Sequence, residues 1–208
     1  MISKFTTALL FGAAYAGKVT LYDDDSADVQ VDVWASGMDI YMKGCMTDKL
    51  YEDEGEGEAG AKNELTQSFD IRNDFVFEGE GEETLQSADW STGVSFSYVP
   101  AQEEGEEAAK NFSGDADWVD VPENWDVNGQ GSKWSGCAKR PLMVEGWEEL
   151  KTGTSYIVTG SYSMKYPSGL FGGSVSNSES AWKRVTLTEG AVSGLATASA
   201  AIIASLLI

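Results

Sequence analysis

Cys45 and Cys137 are the whole thiol complement of a chain of 208 residues. Two cysteines are too few for a Cys-rich zinc or iron–sulfur centre, and nothing in the sequence around them marks an activated thiolate. In an oxidising compartment they are expected to form one structural disulfide. Closing 92 residues, it would contribute about 4–5 kcal/mol in the chain-entropy model. Free or intermolecular thiols are the alternative. The chain has no histidine, which removes imidazole-based triads, proton shuttles and His-ligated metal sites.

Oxygen ligands come next. Asn124-Trp125-Asp126-Val127-Asn128-Gly129 opens like a calcium loop, with oxygens at alternate positions and glycine at the sharp turn. Ser135 stands where such a loop closes with a bidentate glutamate, so the segment reads first as a turn. Asp115, Asp117 and Asp120 are the other carboxylates for a weak calcium site. The same region carries Trp118, Trp125, Trp134 and Trp147 beside acids, as in Asp117-Trp118 and Trp147-Glu148-Glu149. Indole faces stack on the apolar faces of sugars while carboxylates take their hydroxyls, although tryptophan in a β-sandwich is also a core residue. Two carboxylates suffice for glycoside hydrolysis without histidine, but no motif picks out a pair. Asn111-Phe112-Ser113 is the one N-glycosylation sequon.

Charge narrows the partners. The formal net charge is −20, and Asp23–Asp126 holds 29 of the 34 acidic residues and 5 of the 14 basic ones. Such a surface repels phosphate backbones and excludes nucleic acid as a partner; glycans, cationic surface proteins or divalent ions remain. The Gly/Glu runs give no phosphate cradle, since their glutamates would repel it.

The ends give an address. Lys4, the apolar run Phe5–Ala14 and Ala14-Tyr15-Ala16 form a secretory signal pattern over residues 1–16, cleaved before Gly17. Residues 191–208 close on the uncharged run Leu195–Ile208, shorter than the roughly 20 residues of a membrane span. With small residues upstream, this tail reads as a glycolipid (GPI-type) attachment signal or a short membrane anchor. Candidate attachment residues are Ser176, Asn177 and Ser178. One conflict is visible: residues 182–187 (Trp182–Leu187) alternate like a final strand, with Val185 and Leu187 on one face, and attachment at Ser176 would discard them.

All of these residues need a scaffold, and the patterning supplies strands. Thr154–Tyr166 alternates aromatic and β-branched residues with small polar ones, a long strand with one buried face and a bulge near Gly160. Lys18–Tyr22 is a first strand. Asp28–Ala35 and Met38–Met42 flank Ser36-Gly37 as a hairpin. Leu65–Phe77, broken near Asn73-Asp74, and Gly93–Val99, with Val94, Phe96 and Tyr98 on one face, add further strands. The acidic runs at 51–63, 78–83 and 103–110 read as loops. Asp115–Trp147 reads as long loops with short strands, and Glu145–Lys151 as one or two helical turns.

The expectation is therefore an all-β domain at 17–171, an antiparallel β-sandwich or jelly-roll-like fold with a partly open barrel as nearest alternative. Residues 172–190 are expected to be a Gly/Ser-rich stretch and polar spacer. Function follows as a non-enzymatic, extracellular, cell-surface coat or adhesion component, held to the plasma membrane by its tail. A carbohydrate-binding module or two-carboxylate glycosidase is the second reading, and weak calcium binding the third.

Overall fold

The computed structural model describes residues 17–49, 64–74, 76–79, 82–101, 107–115, 117–127, 133–165 and 174–190. The readings on residues 1–16, 191–208, Tyr166 and most of the acidic runs lie outside them. Two antiparallel sheets pack face to face as the expected β-sandwich. The first contains β1 (Val19–Asp23), β2 (Ala27–Ser36), β3 (Asp39–Asp48), β11 (Lys133–Pro141) and β10 (Asp126–Val127), in that spatial order. Short strand β9 (Val119–Asp120) pairs antiparallel with β11, and β14 (Thr188–Glu189) adds one parallel pairing, to β2. The second sheet runs β13 (Ser174–Thr186), β12 (Ser155–Lys165), β4 (Glu64–Asn73), β7 (Ser91–Val99), β8 (Ala109–Gly114). A separate hairpin, β5 (Val76–Gly79) with β6 (Glu82–Leu85), carries the middle acidic run. That run forms strand rather than loop alone, tied down by Arg184, which donates to Asp74 and Glu83, and by Arg72, which donates to the Gln86 carbonyl.

Period-two patterning produces this directly. Along β2 every second residue, from Ala27 to Ala35, is buried, and β3 buries Ile40, Met42 and Met46. Gly37 turns the hairpin at φ 62°, a conformation that favours glycine. The buried faces of β4, β7 and β12 supply Leu65, Phe69, Ile71, Val94, Phe96, Val158 and Met164. The predicted bulge is present: the β12–β13 register shifts between Gly160 and Tyr162.

The sheets interlock through small residues. Gly44 and Gly136 are register partners across β3 and β11. A Cβ on Gly44 would fall 2.2 Å from Phe69 Cε2, and one on Gly136 2.5 Å from Phe96 Cδ1. The two glycines thus form a notch that receives two phenylalanines from the opposite sheet, close packing of the kind interiors require.

Three expectations change. Asp115–Trp147 contains β11, a nine-residue strand at the middle of the first sheet, hidden because glycine, serine and alanine line it. Glu145–Lys151 forms no helix and lies in a loop. Residues 174–190 belong to the sandwich: β13 pairs with β12 along most of its length, and Val185 and Leu187 are 3% and 0% exposed. The fold therefore continues through Glu189, past the expected boundary at 171. Among the described residues, no helix is long and apolar enough to cross a membrane.

Candidate functional site

The anticipated chemistry at the cysteines is not assembled. Cys45 opposes Ser135 and Cys137 opposes Lys43, so the thiols share the outer face of the first sheet on a diagonal, and both are free. Diagonal neighbours stand roughly 7–8 Å apart, their Cβ atoms somewhat closer, whereas a disulfide needs Cβ atoms about 3.5–4.5 Å apart. The expected Cys45–Cys137 bridge is corrected accordingly. Burial pushes the Cys137 thiol up to about 11 and raises that of Cys45, the latter offset in part by Lys43, Lys18 and Lys133. Neither is an activated nucleophile.

Among the described residues the calcium reading does not assemble either; Asn128 and Gly129 of the loop lie outside them. Pro122–Asn124 is a 3-10 turn, and Asp126–Val127 pairs with Ser135 and Trp134 as β10. Asp120 accepts from Trp125 Nε1 at 2.7 Å and Asp115 from the Gly93 amide at 2.7 Å. Among the described residues no group of three or more His, Cys, Asp or Glu side chains is placed to hold a metal.

Of the four tryptophans singled out, Trp118, Trp125 and Trp134 are buried and Trp147 is 39% exposed. No flat row of indoles exists among them. Trp125 and Trp134 belong to an aromatic core group with Phe96 and Tyr98. Trp118 and Trp147 meet at the opposite end, over one cation. Arg140 ends the inward-facing series of β11 opposite Ile40 and is 2% exposed. Its Cζ lies 6.0 Å from the Trp118 ring centroid and 5.5 Å from that of Trp147. Burial lowers its pKa, while the charges of Asp117 and Asp115 act the other way; a guanidinium remains charged throughout. The π-faces give it electrostatic compensation that water would otherwise supply.

Local structure fixes both indoles. Asp115 exchanges backbone and side-chain hydrogen bonds with Gly93, and the Trp118 amide donates to the Asp115 carbonyl at 3.2 Å. Trp118 Nε1 then donates to buried Thr92 Oγ1 at 2.9 Å. Within this turn Asp117 has φ 76°, the left-handed region that aspartate enters more readily than most residues. Trp147 rides the loop that follows β11. The loop is closed by the Leu150 amide donating to the Leu142 carbonyl at 2.9 Å and is pinned by Leu150, 2% exposed. Gly146, at φ 84°, makes the turn that presents the indole.

Beside it Glu148 Oε2 accepts from Trp90 Nε1 at 2.6 Å, and Trp90 meets Tyr156 edge-on at 6.0 Å. The Leu142 amide binds the Met38 carbonyl, bringing exposed Met38 (83%) and Met143 (66%) to the same end. The result is an exposed indole held from behind by a buried cation, with apolar loop tips and the exposed carboxylates of Asp117, Glu145 and Glu149 around it. Such a surface can stack on an apolar ring face and accept hydroxyl hydrogens. Sequence reasoning missed Arg140 and Trp90, which only the end-on convergence of β11, β7 and the 142–154 loop reveals. Asn111, the glycosylation candidate, lies exposed on edge strand β8, away from this end.

No family model matches the chain, and no curated protein matches it. Among solved structures, a family 9 carbohydrate-binding module from Caldicellulosiruptor kristjanssonii in complex with glucose aligns with a TM-score of 0.37 at 7% identity. The alignment covers 86% of this chain and 84% of that one. A likeness this slight carries no argument about the present site.

Proposed function

We propose that this chain is a non-enzymatic recognition domain of the cell surface that binds carbohydrate at the loop end of its sandwich, through the exposed face of Trp147. The observation that carries this reading is the placement of Trp147: the residue is 39% exposed on a loop closed by its own backbone bonds, with Arg140 5.5 Å from its ring centroid. A preorganised aromatic loses little freedom on binding. The lack of histidine and of an activated thiol supports binding rather than turnover.

Secretion and lipid anchoring complete the proposal, resting on the terminal sequence patterns. The fold adds a constraint: attachment at Ser176, Asn177 or Ser178 would remove the second half of β13 with Val185 and Leu187. We therefore place any processing after Glu189, where Gly190-Ala191-Val192-Ser193-Gly194 offers small residues but no polar spacer before the apolar run.

Glycan-array screening followed by calorimetry on purified protein and its Trp147→Ala variant tests the binding. Saturable binding of a neutral glycan by the parent, lost in Trp147→Ala with the melting temperature preserved, is expected. Binding unchanged in Trp147→Ala, or release of reducing sugar in a turnover assay, overturns the reading.

A further inference from the structure

We infer that the outer face of the β2–β3 hairpin holds a second ligand site, for a small hydroxy acid that carries a carboxylate beside free hydroxyls, with a hexuronate as the model ligand. Register builds it. On this face Asp32 opposes Lys43 and Gln30 opposes Cys45. Lys18, just before β1, joins them at the rim of a depression of about 190 Å³ lined by Lys18, Gln30, Val31, Asp32, Lys43 and Cys45. That volume is about six waters at roughly 30 Å³ each, below the roughly 300–1,000 Å³ of drug-sized pockets, and so the scale of a monosaccharide.

The polar groups are left incomplete. Asp32 Oδ1 is shielded from solvent and makes no hydrogen bond among the described residues, a desolvated acceptor that native structures rarely leave unpaired. Burial raises the Asp32 pKa, and the charges of Lys18 and Lys43 offset that only in part; among the described residues neither lysine forms an ion pair with it. Gln30 Nε2 is spent on both oxygens of Asp28. The depression thus presents two ammonium donors and one carboxylate acceptor in need of a donor, in a chain of net charge −20 where paired cations are scarce.

Ligand chemistry follows by elimination. A metal cation meets two ammonium groups. Inorganic phosphate satisfies the lysines and has P–OH donors, but it sets up to two negative charges against Asp32 within one compact ion, where a hydroxy acid keeps its single charge apart from its donors. A neutral sugar gives Asp32 its donor and leaves the lysines uncompensated. A carboxylate next to hydroxyls satisfies both sides through charge-assisted bonds. The site is independent of Trp147, which lies at the loop end.

Cys45 provides a native reporter, since it lines the depression and is half-buried while Cys137 is fully buried. The experiment titrates full-length protein with sodium glucuronate by calorimetry and follows alkylation of Cys45 by N-ethylmaleimide with peptide mass mapping. Saturable binding is expected that slows Cys45 alkylation, weakens about tenfold in Lys43→Met, weakens with added salt and persists in Trp147→Ala. Lys18→Met, at an exposed position, gives the same loss in a variant that keeps the fold. In the Trp147→Ala background, glucose or inorganic phosphate alone should give no saturation. Absence of glucuronate binding, binding by phosphate or glucose equal to that of glucuronate in that background, or affinity unchanged in both lysine variants overturns the assignment.

Discussion

Replacing Leu187 by alanine decides whether the last strand belongs to the domain. Leu187 is 0% exposed; its amide donates to the Thr154 carbonyl at 3.0 Å and its carbonyl accepts from the Gly153 amide at 2.7 Å. The substitution leaves those backbone bonds in place and removes only buried side-chain volume. Leu→Ala at a fully buried site costs about 3–5 kcal/mol, transfer and cavity terms together. For a domain of this size each kcal/mol shifts Tm by roughly 2–4 °C, so a fall of about 6–20 °C is expected. Thermal unfolding of protein spanning residues 17–190, followed by circular dichroism, measures it. Glu189→Ala, at an exposed neighbouring position, should stay within about 0.5 kcal/mol of the parent. If Leu187→Ala melts within a degree of the parent, Trp182–Leu187 does not pack in the domain, and the placement of processing after Glu189 falls with it.

Gly44→Ala and Gly136→Ala should each destabilise by about 1–3 kcal/mol or more, because the added methyl meets Phe69 or Phe96; chemical denaturation reads this as a lower midpoint. Asp24 binds the Ser26 and Ala27 amides and the Tyr162 hydroxyl, which together hold its pKa below the usual carboxylate value against the opposing effect of burial. A lowered folded-state pKa stabilises above the unfolded value of about 3.9 and loses that contribution as pH falls through the folded one. Asp24→Asn should therefore be less stable than the parent at pH 7, with the gap closing below pH 4. Without reductant, the native protein should titrate two free thiols once unfolded, and alkylation before unfolding should reach Cys45 ahead of Cys137; a mass lower by two hydrogens with no free thiol would refute the corrected pairing.

The strands were legible wherever one face is apolar and the other polar. Ala27–Ser36, Ser91–Val99 and Ser155–Lys165 each carry a period-two pattern that admits one orientation against a core, because a one-residue slip would turn every buried side chain outward. Gly37 was readable for a local reason, a tight turn at φ 62°, and Gly160 as a break in the alternation, whereas what excludes a Cβ at 160 is Leu21 of the opposite sheet, 2.5 Å away. The sequence by itself therefore determined the fold class, the hairpin, the bulge and the shared buried face of Val185 and Leu187. Strand β11 escaped because its inward positions include Gly136 and Ala138, whose value lies in the room they leave for Phe96 and neighbouring side chains, a property of the opposite sheet. The same holds for function. Which tryptophans are core depends on which side of a sheet and which end of the sandwich each reaches, so Trp125 and Trp134 went inward and Trp147 outward from similar acidic surroundings. Cys45 and Cys137 fell two residues out of register for a bridge, and Asp32, Lys43 and Lys18 converged from two strands and the chain preceding a third. Pairing register and sheet packing join residues far apart in the chain, and only the tertiary structure decides them.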